Sequence, residues 1–475
     1  MAAASDVPTL KLEDIQSLIL RRRPTPYVGC HVLLHFGGQG DTHGVVRDSP
    51  QGREFLRRLK PHIVSAARSE SADTWVAVAL TYTGLQALGV PQESLDSFPE
   101  AFKDGMAKRA PAFETCEGSW EPPYGTGQVH GWMTVLCGAT NGGPDAMAAA
   151  RKNFQDRINL AGQQLETLPR VKILVRDDYE QTTGITPFGY QDGISFPDIL
   201  GNEAQRGLKT SEPPIAAGEF VLGYPGEGGR SIKMPLLGTE GSLGRNGTFL
   251  GFRKLHSKVA TFRRCLRDSA AAQGISPELL AAKMIDRWPS GAPLILAPDA
   301  DQRDIARDLQ RLNNFYYASD AKGYVCPMGS HIRRMNPRDT KLQVMADVRL
   351  RRILRHGTAY GLPLPDGVLE DDGRSRGMFF IFMSATAPET YEFLKKDWLN
   401  DGNFIGLGRE RDPIDGSHDG TGVFTIPAKP FAIKIPMPES FTQTLGGEYA
   451  FMPSLSALEW ISELPGVPRN VNSAV

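Results

Sequence analysis

The sequence predicts an α+β protein in two halves, each built on an antiparallel sheet. Three observations carry this expectation. The chain runs to 475 residues, more than one ordinary core accommodates. Strand-like and helix-like segments alternate along it with uneven spacing and length, unlike the regular beat of a doubly wound parallel sheet. Its 50 glycines and 35 prolines fall between recurring apolar runs, the mark of a loop-rich globular protein and not of disorder.

The elements follow in order. Residues 27–36 have the apolar, β-branched content of a strand, and 51–68 carries Phe55, Leu56, Leu59, Ile63 and Val64 at helical spacing. A second strand is expected over 75–82 with a short helix over 83–88, then a strand over 131–139 and a helix over 145–160. The theme returns as a strand over 247–253 before a helix over 258–272, and a strand over 378–385 before a helix over 387–398. Residues 431–435 supply a further strand. The seam is expected in the loop-rich stretch 201–247, where Pro213-Pro214 and the glycines of 226–229 cluster, although 218–225 has strand character. The halves are therefore set at 1–215 and 216–475. The polar tail from Pro465 is expected to fray.

A net charge of −1 gives no general attraction to nucleic acid or to acidic membranes. No run of about 18 apolar residues suggests a membrane span. Residues 1–18 alternate acids and apolars without the core of a secretory signal, so the cytoplasm is the expected compartment. The five cysteines (Cys30, Cys116, Cys137, Cys265 and Cys326) are odd in number and form no CxxC pair, which favours a reducing compartment over a disulfide scaffold. The lack of a CxxCH run excludes covalent c-type haem attachment.

Several motifs fail. Gly38-Gln39-Gly40 is followed by His43, and Gly226-Glu227-Gly228 by Ser231, where a dinucleotide fingerprint needs glycine. There is no HExxH, no phosphate-binding GxxxxGK[ST] and no GxSxG. His31 and His35 fall within one strand, which suits core or surface residues better than a zinc pair.

Three residues survive. Asp192 lies in Gly189-Tyr190-Gln191-Asp192-Gly193. An Asp-Gly pair is most often a plain turn, but here glycines bracket it and Pro187, Phe188, Phe196 and Pro197 surround it. Such a turn can hold a carboxylate against an apolar cavity as a general base. His331 follows Cys326-Pro327-Met328-Gly329-Ser330 and precedes Arg333, Arg334 and Arg338. A lone histidine is most often structural. The arginines favour a neutral imidazole ligating haem iron, with guanidinium groups for the two propionates. Cys326 is the rival ligand, as a thiolate. Arg355, in 351–357, reads either as part of a solvated basic helix end with Arg351 and Arg352, or as a fixed cation that stabilises charge as an O–O bond breaks.

The blocks GYQDG, CPMGSHIRRMNPR and RRILRHGTAYG resemble the signature blocks of the dye-decolorizing peroxidase family. TYTGLQALGV with FKDGMAKRA, GEFVLGYP, RNGTFLGFRKL, RWPSGAP, RGMFFIFM and GGEYAFMPSLSAL match as well, in order, from about Leu12 to Leu458. The length is similar to the longer, advanced branch. The resemblance implies two ferredoxin-like halves of the dimeric α+β barrel kind, with one non-covalent haem b per chain in the C-terminal half. It implies Asp192 as distal acid–base group, Arg355 as distal cation and His331 as axial ligand to the iron, with Arg333 beside the cofactor. Met378 and Phe380 would line the distal face, Met378 where leucine is usual. Gly357 stands where some members carry asparagine. Asp412 is the candidate carboxylate orienting the proximal imidazole.

The implied activity is reduction of hydrogen peroxide through a ferryl state, with one-electron oxidation of dyes, phenols and other aromatic donors. An aspartate base suits acidic pH, because its ordinary pKa is low. Bulky donors would pass electrons through Tyr360 or Trp398, either of which is equally an ordinary packing aromatic. The competing readings are a non-catalytic haem-binding or iron-releasing protein, and a thiolate-ligated oxygenase using Cys326. A monomer or a homodimer fits the sequence.

Overall fold

The computed structural model describes residues 8–37, 48–68, 74–115, 120–139, 145–205, 212–237, 241–340 and 348–466. Gly38, Gln39, Gly40, His43, Cys116, parts of the expected seam (206–211 and 238–240) and the tail beyond Gly466 lie outside them.

Eight strands form one antiparallel sheet. They are β1 (Tyr27–Phe36), β2 (Thr74–Leu80), β3 (Gly131–Gly138), β4 (Val171–Gln181), β5 (Thr248–Ser257), β6 (Leu354–Tyr360), β7 (Gly377–Ser384) and β8 (Thr442–Met452). Their order across the sheet is β4-β1-β3-β2-β8-β5-β7-β6. Each half thus repeats one arrangement: its first and third strands are central, its fourth and second lie outside. A single bridge, Phe451 to Leu80, joins the halves. The two expected antiparallel halves are joined at that bridge into one sheet, which curls until β4 lies against β6; the Tyr27 and Thr358 hydroxyls meet at 3.1 Å across that closure.

Both faces of the sheet are buried, which explains why β1 reads as a nearly unbroken apolar run. The inner core holds Leu33, Trp132, Tyr179, Phe252, Phe379, Ile381 and Met383. The main helices are α1 (Pro50–Leu59), α2 (Ala146–Glu166), α3 (Val259–Gln273), α4 (Pro277–Ile285), α5 (His331–Met335), α6 (Ala387–Phe393) and α7 (Leu455–Glu463); on the outer face Val32, Leu34, Phe249 and Phe382 share a core with α1, α2, α6 and α7, whereas α3 and α4 pack in a separate cluster with Phe424 and Ile435.

Some expected elements differ. The helix over 51–68 ends as α1 at Leu59, and the chain tightens into one 3₁₀ turn, Lys60–His62, around Pro61. The stretch 218–225 is no strand; it opens with a 3₁₀ turn, Ala217–Glu219. The helix over 387–398 widens after Phe393 into a π-helical turn, Leu394–Asn400. The strand at 431–435 is displaced to Ile433–Met437 and pairs with Gly422–Ile426 in a separate ribbon. Among the described residues no helix is long and apolar enough to cross a membrane.

Candidate active site

The outer face of β6 and β7 forms one wall of a cavity of about 280 Å³. Strand alternation sends Leu354, His356 and Thr358 inward, so Arg355 faces the cavity and Gly357 lies on the same side of the strand. On β7 the same alternation presents Met378 and Phe380. Leu255, Ile285, Ile332, Leu394, Leu399 and Ile414 complete a largely apolar lining.

Asp192 reaches this wall from the glycine turn. Gly189 and Gly193 have φ of 92° and 73°, a region other residues adopt only with strain. The turn is pinned by Asp192 N–H donating to the Gly184 carbonyl at 2.8 Å and Gln191 N–H donating to the Pro289 carbonyl at 3.0 Å. Arg355 Nη2 donates to Asp192 Oδ1 at 3.1 Å. Neither side chain is sealed: Asp192 is 22% and Arg355 39% exposed, so both remain reachable from the cavity. The carboxylate packs directly on Gly357, where a Cβ would stand 2.4 Å from Asp192 Oδ2.

His331 opens α5 on another wall. Its Nδ1 sits 3.0 and 3.1 Å from the two oxygens of Asp412. That leaves Nε2 as the ring nitrogen that can meet a ligand in the cavity. Asp412 is fully buried and also accepts from the Ile414 and Asp415 backbone N–H groups at 2.9 and 2.7 Å. Burial opposes its charge, but His331, Arg334 and the backbone donors hold its pKa down at about 2. Conversely, burial alone would depress His331, and the charge and hydrogen bond of Asp412 outweigh it, raising the imidazole above its ordinary value. An ionised carboxylate on Nδ1 fixes both ring orientation and basicity.

Four further arginines line the cavity: Arg287, Arg338, Arg351 and Arg352. Glu212 bridges Arg338 and Arg352 at 2.9 and 2.8 Å, and Arg338 Nε is buried without a hydrogen-bond partner. The arrangement can seat a flat, apolar, dianionic group between a free imidazole nitrogen and an acid–cation pair. Arg351 packs on Phe393 at 3.9 Å, which corrects its reading, with Arg352, as a solvated helix end; Arg355 likewise lies on a strand.

Arg333 does not face the cavity. It is fully buried, donates to the Cys326 carbonyl at 2.6 Å and pairs with Asp320 at 3.3 Å. Two residues along a helix turn a side chain about 200° away, so an arginine that close to His331 points elsewhere. Cys326 lies in a separate core, its thiol pushed well up by burial and by Asp286, and it lines no part of the cavity, which removes the thiolate reading. Trp398 is buried between Phe393 and Phe404, away from the surface. Tyr360 points to the inner side of β6, its ring 4.7 Å from that of Phe379. Glu212, Arg287 and Tyr391 also belong to the site, and nothing in their local sequence marks them.

No protein-family model matches the chain. Peroxidase 2 of Mycetinis scorodonius is 29% identical over 412 residues, 81% of this chain and 76% of that protein. Dye-decolorizing peroxidase AauDyP1 of Auricularia auricula-judae is 29% identical over 436 residues, 84% and 79% of the two chains. A crystal structure of a fungal DyP-type peroxidase from the same species superposes with a TM-score of 0.76 at 25% identity, covering 96% of this chain and 100% of that one. The chain is similar over most of its length to dye-decolorizing peroxidases. The multifunctional dye peroxidase DyP2 of Amycolatopsis, 24% identical, covers 96% of this chain and 97% of its own. These relatives align with the chain over most of its length.

Proposed function

We propose that this chain is a haem peroxidase that reduces hydrogen peroxide and oxidises dyes, phenols and other aromatic donors in one-electron steps. One observation carries the reading: the hydrogen-bonded Asp192–Arg355 pair and the carboxylate-anchored imidazole of His331 line the same apolar cavity. The donor set fits one non-covalent haem b. His331 Nε2 would hold the iron, Arg338, Arg351 and Arg352 would meet the propionates, and Met378 and Phe380 would line the cavity beside Asp192. The strand order of each half is that of a ferredoxin-like βαββαβ unit. With the halves taken as 1–215 and 216–475, the first supplies Asp192 and Glu212, and the second supplies His331, Arg338, Arg351, Arg352, Arg355, Met378 and Phe380.

Bound haem supplies the iron and the electrons that cleave the O–O bond. The chain supplies the rest. Arg355 occupies Asp192 Oδ1, so Oδ2 takes the proton from one peroxide oxygen and returns it to the departing one, which leaves as water. The guanidinium of Arg355 stabilises the negative charge on that oxygen as the bond breaks. Asp412 keeps Nδ1 of His331 engaged, so Nε2 remains the ligand atom throughout.

The test is stopped-flow mixing of the haem-loaded protein with peroxide, beside Asp192→Asn and Arg355→Leu. Slowed O–O cleavage in both variants is expected, by about 100-fold or more for the better of the two. Haem uptake with no spectral response to peroxide in the wild type would establish a carrier instead.

A further inference from the structure

Behind the proximal wall lies a buried polar pair that the peroxidase mechanism leaves unused. Tyr317 and Asp286 are both fully buried, and the Tyr317 hydroxyl donates to Asp286 Oδ2 at 2.5 Å. Asp286 Oδ1 accepts no hydrogen bond from a nitrogen or oxygen donor, and the Cys326 thiol lies beside the carboxylate. Burying a carboxylate and a phenol costs free energy relative to a phenylalanine packed on an aliphatic residue, even with the Arg333 guanidinium and the Cys326 thiol beside them. Such an arrangement is a candidate functional site.

The pair lies one side chain from the cavity. Asp286 ends α4 in a left-handed conformation, φ 85°, between Ile285 and Arg287, which both line the cavity. Tyr317 meets the edge of Phe315 with ring centroids 5.6 Å apart. The guanidinium of the cavity residue Arg338 lies 4.0 Å from the Phe315 ring centre. Electrons thus have a packed route from phenol to cavity, while dissolved donors have none to the phenol. The guanidinium of Arg333 covers the Tyr317 ring at 4.3 Å, which disfavours any positive charge left on that ring. Oxidation of this phenol is therefore tied to loss of its proton, and the acceptor is already in place.

We propose that Tyr317 is an internal one-electron donor to the oxidised cofactor, with Asp286 as its proton acceptor, discharging oxidising equivalents when no external donor is bound. This rests on the peroxidase reading above. Hydrogen peroxide is the oxidant and is reduced to water. One electron leaves Tyr317 for the oxidised cofactor, the phenolic O–H bond breaks, and its proton passes to Asp286 Oδ2. A neutral phenoxyl radical and a neutral carboxylic acid result. An aromatic donor later returns the electron, and the proton goes back to the phenol oxygen. Burial holds Tyr317 protonated until then, as its pKa lies well above the ordinary value.

The experiment mixes the haem-loaded full chain with one equivalent of hydrogen peroxide and no donor, then reads freeze-quench electron paramagnetic resonance beside the optical spectrum. A neutral tyrosyl signal is expected in the wild type. Its loss is expected in Tyr317→Phe and in Asp286→Asn, with a longer-lived oxidised optical state in both. Site-specific replacement of Tyr317 by 3-fluorotyrosine, which preserves the packing, is expected to add fluorine splitting to the signal. An unchanged radical in Tyr317→Phe, or a signal without splitting in the fluorinated protein, overturns the proposal while a normal optical response leaves the peroxidase reading standing. A wild type with no optical response overturns both.

Discussion

Replacing Gly357 by alanine tests the distal geometry with one methyl group. The added Cβ would stand 2.4 Å from Asp192 Oδ2 and 2.9 Å from Met378 Cε, where ordinary contacts begin at 3.4 Å. The backbone has no room to retreat. Gly357 pairs with Phe380 in the β6–β7 ladder, and its carbonyl accepts from Arg23 Nη2 at 2.5 Å. The Met378 side chain can bend, so the carboxylate is the group that must move, by about 1 Å. A shift of that size breaks the 3.1 Å hydrogen bond to Arg355 and takes the base out of line with peroxide. Misplacement by about 1 Å costs on the order of 100-fold in rate, or about 2.7 kcal/mol in the barrier.

The assay is the second-order rate of peroxide reduction by haem-loaded protein, with thermal unfolding as a control. Removing glycine from a strand gains about 0.5–1 kcal/mol, which offsets part of the crowding, so the midpoint should move by only a few degrees. In an Asp192→Ala background the same Gly357→Ala change should cost almost nothing, because the group it displaces is gone. A rate within threefold of wild type in the single variant, or an equal loss in the Asp192→Ala background, would refute the reasoning.

Asp412→Asn should weaken haem affinity or activity by about 10–100-fold, seen by haem titration, because the amide cannot carry the charge that orients and polarises His331. Stability should fall in acid. Burial holds His130 and His356 at about 3, and Phe36 N–H donating to His130 Nδ1 at 3.0 Å requires that ring to be neutral. These folded-state values lie below the unfolded one, so their contribution is complete above about pH 6.5 and drains away as pH falls towards 3, at about 1.4 kcal/mol per unit for each histidine. For the pair the loss by pH 5 is at most about 4 kcal/mol, and equal denaturant midpoints at pH 7 and pH 5 would contradict it. Tyr360→Phe should lower turnover of bulky dyes while sparing peroxide reduction, measured with a bulky and a small donor in parallel; equal turnover of both donors would exclude that relay.

What the sequence disclosed depended on whether a residue's role was local. The strands β1, β2, β3, β5 and β7 were legible because burial on one or both faces leaves apolar runs. Strands β4 and β6 were not. β4 is an edge strand carrying Lys172, Arg176, Asp177, Asp178 and Glu180, the charges that discourage pairing with another chain. On β6 the outward positions Arg355 and Gly357 answer to the cavity and to Asp192, not to a core, and this breaks the alternation that identifies a strand. Asp192, His331 and Arg355 stood out because each lies in a distinctive stretch of chain. Arg333 misled for the same reason, since nearness in sequence to His331 does not say which side of a helix a residue faces. Glu212 is defined by two arginines far along the chain, and Gly357 by the carboxylate that would collide with any larger side chain. Roles of that kind are set by what arrives from elsewhere in the fold. Gly357 thus governs how the acid–base group sits against its cation, and no pattern in the residues around it says so.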